Sequence, residues 1–144
     1  MSSVFDVAKY ILKKQGPMTA MKLQKLVYYS QAWSVVWDGE PLFNEQIQAW
    51  ANGPVVPELY KIHQGQFLLN DLSNGSEENL TDDQRETIDS VLNFYGNMPA
   101  QVLSDLTHSE DPWKLARRGL SDGERGEHEI TLASMEEYYS SLPE

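Results

Sequence analysis

TAMKLQKLVYYSQAWSVVW, residues Thr19–Trp37, is the stretch whose reading decides the fold. It runs for 19 residues without Gly or Pro. Leu23, Leu26, Val27, Ser30, Trp33, Ser34 and Trp37 recur at helical spacing and form one continuous stripe. Two small serines in the stripe leave room for a neighbouring backbone. Tyr28, Tyr29, Val35 and Val36 widen the apolar surface beyond one face. Such a helix is central, with other elements packed around it. Thr19 stands at the N-cap position after the bend Gly16–Pro17, and Asp38–Gly39 supplies the stop.

Before it, Ser3 and Asp6 make a capping box for a helix that buries Val4, Val7, Ala8, Ile11 and Leu12. After it, Gln46–Trp50 alternates polar and apolar and reads as a short strand, pairing with Leu42–Phe43 in a small hairpin. Asn52–Gly53–Pro54 breaks that strand, and Pro57 opens a helix. Residues 66–80 read as a polar loop, mobile at Ser73–Asn79. Thr81 and Gln84 cap a helix carrying Ile88, Val91, Leu92 and Tyr95. Pro99 begins the next, with Val102, Leu103 and Leu106 inward, and Asp111–Pro112 caps the one after. Residues 119–129 hold three glycines and read as a surface loop. Ile130 reads as a strand or anchor residue, and Ser134 and Glu137 open a last helix. The expected fold class is mainly α (α+β). A compact bundle surrounds the central helix 19–37, with a two-stranded β element near residues 42–51, in one domain spanning 1–144.

Composition narrows the function. With no cysteine there is no disulfide framework, thiolate metal site or Cys nucleophile. No apolar run reaches the length of a membrane span, and the first residues do not read as a targeting peptide. A cytoplasmic protein without membrane contact is expected. The net charge is −11 and is uneven. Residues 1–65 hold six Lys against five acids, and residues 66–144 hold five Lys/Arg against 17 acids. Such a surface repels nucleic acid, so no direct nucleic-acid binding is expected. It suits either solubility or a basic partner.

Chemistry-bearing patterns are sparse. Gly and Lys never fall at phosphate-loop spacing, and His63, His108 and His128 lie far apart. His108 with Glu110 and Asp111 is the one local polar constellation. It reads as a helix-end histidine beside a cap, or alternatively as the centre of a small hydrolase or metal enzyme. The acidic pairs Glu77–Glu78, Asp82–Asp83 and Glu136–Glu137 read as solvated or capping groups. Lys22 with Lys25, and Lys114 with Arg117 and Arg118, read as solvated helix faces or as basic contact patches. No metal and no cofactor is expected.

Three segments together, MKLQKLVYYSQAW at 21–33, AWANGPVVPELY at 49–60 and THSEDPWKLAR at 107–117, resemble the Panacea domain. This is the antitoxin domain of GepA- and SocA-type bacterial, phage-associated proteins. The resemblance implies a non-enzymatic role: binding a toxin encoded by the adjacent gene and holding it inactive. In one branch it implies instead an adaptor that delivers the toxin to the ClpXP protease. The family signature falls on Lys22, Leu23, Lys25, Leu26 and Tyr29, then on Trp50, Gly53, Pro54, Val55 and Tyr60, then on Thr107, His108, Pro112 and Trp113. Most read as fold determinants, with Thr107–His108 tying a helix end to neighbouring backbone. Lys22, Lys25 and Tyr29 share a face off the Leu23–Leu26 stripe and are expected to face the partner.

Overall fold

A computed structural model describes residues 2–121 and 123–142. Its α-helices are α1 (Val4–Gln15), α2 (Ala20–Asp38), α3 (Pro57–His63), α4 (Asp82–Tyr95), α5 (Ala100–His108), α6 (Asp111–Ala116) and α7 (Leu132–Ser140). The strands are β1 (Met18–Thr19), β2 (Gln48–Trp50), β3 (Gly53–Val55) and β4 (Leu68–Leu69). The protein is mainly α with a little antiparallel β.

Helix α2 is the axis. Thr19 caps it by accepting from the Lys22 N–H, and Gly39 closes it in the left-handed region. Every residue from Leu23 to Val35 is buried, because α1, α4, α5, α7 and β3 all pack on it. Each Leu or Val so buried contributes about 1.5–3 kcal/mol. The first and last turns emerge: Met21 is 38% exposed, and Trp37, expected inside, is 43% exposed. Two glutamines seven residues apart hold irregular backbone against this helix. The Gln31 amide accepts from the Leu42 N–H and donates to the Phe43 carbonyl (2.7 and 2.9 Å). The Gln24 amide accepts from the Val56 N–H at 2.9 Å and donates to the Val56 carbonyl at 3.3 Å. Extended segments that no sheet could satisfy are thereby paired.

The hairpin lies further along than expected. Strand β2 pairs with β3, Gln48 opposite Val55 and Trp50 opposite Gly53. Leu42–Phe43 instead follow Gln31. Asn52–Gly53–Pro54, read as a breaker, is the turn and the return strand. Pro54 costs no ladder bond there, because its opposite residue Ala49 sends its N–H to the His128 carbonyl (2.9 Å) on the other edge. That edge is closed by the Gln48–Glu129 bridge and by the Ile130 N–H to the Ile47 carbonyl.

Other expectations are corrected by long-range bonds. The loop before α4, read as mobile, is tied to α1: Asp6 accepts from the Ser76 N–H at 2.7 Å and the Asn79 amide at 3.2 Å. The Lys9 ammonium also donates to the Leu72 carbonyl at 2.6 Å. Val102 faces outward. Helix α7 starts after Thr131, which accepts from the Ser134 N–H, so Ser134 lies inside it. The N-cap of α6 is Glu110, one residue before Asp111. Arg117, grouped with a solvated face, is buried. It donates to the carbonyls of Ala49 at 3.0 Å and Ser121 at 3.2 Å and also bonds the Glu124 carbonyl. It thereby ties the backbone of Ser121 and Glu124, after α6, to β2.

Candidate functional site

The three signature segments converge along α2. At its N-terminal half, β3 and α5 meet Lys25. Gly53 has φ +124°, and a Cβ there would overlap Lys25 Cε and stand 3.2 Å from both Lys25 Nζ and Thr107 Oγ1. Only glycine allows both the backbone conformation and the passage of the lysine stem. Thr107 is fully buried and donates to the Ser104 carbonyl of its own helix at 2.7 Å. The tie from α5 to the hairpin is therefore made by Ser104, whose hydroxyl donates to the Asn52 carbonyl at 2.7 Å. Trp113 donates to the Trp50 carbonyl at 2.9 Å and stacks on His108 at 4.0 Å. Leu23, Leu26, Pro54, Val55 and Pro112 are buried fillers. Trp50 and Tyr60 meet edge to face at 5.0 Å.

A cavity of about 390 Å³ opens beside this junction, lined by Gln24, Lys25, Trp50, Tyr60, His63 and Arg125 among others. The Gln24 amide nitrogen lies 3.0 Å from His63 Nε2. The Gln24 oxygen already accepts from Val56, so its nitrogen donates and the ring nitrogen accepts. Burial holds the His63 pKa below its ordinary value, which keeps that acceptor available.

Of Lys22, Lys25 and Tyr29, expected to form a partner-facing surface, the last two lie inside the fold. Lys22 is half exposed, Lys25 is 1% exposed and Tyr29 is fully enclosed. The face they share is covered by the hairpin and by the α5–α6 corner. Tyr29 stacks on Tyr95 at 4.0 Å and donates to Glu110 Oε1 at 2.7 Å. Tyr139 donates to the same oxygen at 2.7 Å. Its one proton is thereby committed, so Tyr28, 3.0 Å away, is the donor to Tyr139. Burial pushes the Glu110 pKa up against the pull of the two phenols, and burial and the Glu110 charge push the Tyr29 phenol far above its ordinary value. Protons are held on the tyrosines, which act as donors closed around one carboxylate oxygen.

A second cavity, about 660 Å³, lies at the C-terminal end of α2 and is lined by Trp33, Trp37, Val91, Phe94, Leu106, Glu110 and Leu142 among others. Trp33 and Trp37 stack at 4.9 Å, and Trp33 donates to the Tyr95 hydroxyl at 3.0 Å. Phe94 is 67% exposed at its mouth. No group of three or more His, Asp or Glu side chains among the described residues is arranged to hold a metal ion. No described helix is long and apolar enough to cross a membrane.

Sequence reading missed Glu110 as the hub of the tyrosine network, Tyr139 as its partner, and Gln24, Gln31 and Arg117 as backbone clamps. For the glutamines a signal existed: two polar residues seven apart on a helix with no wet face. For Glu110 none did, since it precedes Asp111–Pro112 where a solvated acid is ordinary.

The family model for "Antitoxin SocA-like, Panacea domain" matches residues 23–114, from the core of α2 into α6. The chain belongs to this family of antitoxins. It is similar to Antitoxin SocA of Caulobacter vibrioides (strain NA1000 / CB15N), at 30% identity over 130 residues, covering 78% of this chain and 69% of that protein. No solved structure matches.

Proposed function

We propose that this protein neutralises a cognate toxin, the product of an adjacent gene, by binding it directly, and that the aromatic groove at the C-terminal end of α2 is the contact. Family membership supports the toxin as partner. The carrying observation is Trp37, 43% exposed and stacked on a buried Trp33, with Phe94 67% exposed beside the same cavity. A tryptophan fixed by a second ring loses little freedom on binding, and such residues dominate interface energetics. A stable complex needs about 800 Å² per partner, so the groove is the centre of a larger patch. The role is binding without turnover.

Co-expression tests the reading. The protein restores growth to cells producing the neighbouring toxin, and the two co-purify. A chain with Trp37→Asp and Phe94→Asp stays folded, with its midpoint lowered by a few degrees, and loses both. Rescue that survives these changes removes the groove from the contact, and a harmless, unbound neighbour removes that partner. The adaptor alternative gives a different result: rescue disappears in cells lacking ClpXP, and toxin levels fall only where the protease is present.

A further inference from the structure

Lys25 takes no part in the proposed toxin contact. It is 1% exposed, yet it has no hydrogen-bond or ion-pair partner among the described residues. Buried lysines are ordinarily paired, because an unpaired buried charge is costly. A methionine of similar length would fill the same space without that penalty. The lysine passes under Gly53 and lines the 390 Å³ cavity. No Asp or Glu is among the described residues that line it. Its other cation is Arg125, an exposed side chain whose ion pair to Glu127 is long, 3.8 Å. The remaining wall is aromatic, where Trp50 and Tyr60 meet edge to face and each offers a ring surface. The amide of Gln24 is spent on Val56 and His63.

We propose that this cavity binds a small oxyanion, a carboxylate or phosphate borne on a flat apolar body, with the Lys25 ammonium as its counter-ion and the Trp50–Tyr60 wall against its ring. The volume sits near the lower end for small-molecule sites, enough for a ring and one acidic group. Burial pulls the Lys25 pKa down to about 8, so near neutral pH the side chain is mainly cationic and lacks only its anion. The site is independent of the toxin contact at the other end of α2, and its failure leaves that contact intact.

NMR on the full chain tests the proposal, through the Lys25 Hε–Cε resonance and the Trp50 indole N–H. The probes are benzoate, its neutral isostere benzamide, and inorganic phosphate. Benzoate or phosphate is expected to move both resonances and raise the thermal midpoint by a few degrees near saturation, while benzamide does neither. Which of the two acts identifies the oxyanion as carboxylate or phosphate. Lys25→Met is expected to abolish the response and to melt higher than the parent without ligand. The site does not exist if neither anion acts at about 50 mM, if benzamide matches benzoate, or if Lys25→Met responds like the parent. The first two of these outcomes are read from the parent protein alone, so they stand even where the variant does not fold.

Discussion

The two ends of α2 each hold a buried ionisable side chain beside a cavity, and they treat it in opposite ways. At the C-terminal end Glu110 is enclosed, and both Tyr29 and Tyr139 donate to it at 2.7 Å. At the N-terminal half Lys25 is enclosed with no partner among the described residues. The carboxylate is a finished piece of structure, and the ammonium is an open valence. The difference teaches where to look for function: a satisfied buried charge belongs to the frame, and an unsatisfied one calls for an explanation.

The largest effect comes from undoing the satisfied end. Tyr29→Phe with Tyr139→Phe leaves the Glu110 carboxylate buried without donors and breaks little packing. The expected loss is about 3–5 kcal/mol in denaturant unfolding. A loss below about 1 kcal/mol would mean that water solvates Glu110 through the groove, and the contrast between the ends would collapse.

Gly53→Ala comes next. Alanine must adopt φ +124° and its Cβ must overlap Lys25 Cε. The expected cost is about 2–4 kcal/mol. Adding Lys25→Ala should return the steric part and leave the backbone part. If the double variant recovers nothing, the glycine serves the turn alone and the lysine stem does not constrain it.

Much of the frame was legible in the sequence, because it rests on local signals. Ser3, Thr19 and Thr81 cap their helices as read, and the stripe from Leu23 to Ser34 is buried as read. The hairpin register was not, since Asn52–Gly53–Pro54 reads equally as a stop or as a turn with its return strand. That choice depends on Ala49 turning its N–H toward His128, 79 residues away in the chain. The candidate sites were legible only as residue types. Lys25 and Tyr29 were singled out because they lie off the apolar stripe. Whether the face they share is solvent or a second core depends on the hairpin and α5, which one helix cannot reveal.

Lys25→Met sharpens the comparison from the unsatisfied end. Removing the charge should stabilise the protein by about 1–3 kcal/mol at pH 7. The effect depends on pH. The Lys25 pKa falls from 10.5 unfolded to about 8 folded, so between those values the unfolded chain holds more protons. Stability of the parent therefore rises as pH increases through that window, by up to about 3 kcal/mol. Above pH 10 the buried phenols oppose it: their folded pKa values are raised, to about 12 for Tyr95, and their contribution is lost as they ionise. Urea unfolding from pH 7 to 10 should show a rise in the parent and a flat profile in Lys25→Met. A rise of equal size in both would place its origin in another group.

The smallest effect on stability separates the two ends as surfaces. Phe67 is 80% and Leu68 61% exposed, and they flank the N-terminal end of α2 as Phe94 and Trp37 flank the other. Both patches are apolar and lightly packed, so Phe67→Asp and Phe94→Asp should each change stability by about 0.5–1 kcal/mol or less. Phe94 touches Tyr95 edge to face at 4.7 Å and should lose the more of the two. Toxin rescue discriminates where stability does not. Phe94→Asp should abolish it, because a charge at the mouth of the tryptophan groove must be desolvated without a partner. Phe67→Asp should leave rescue unchanged. The reverse result would move the contact to the Lys25 end, where an acidic side chain of the toxin would then compete with benzoate for the same ammonium.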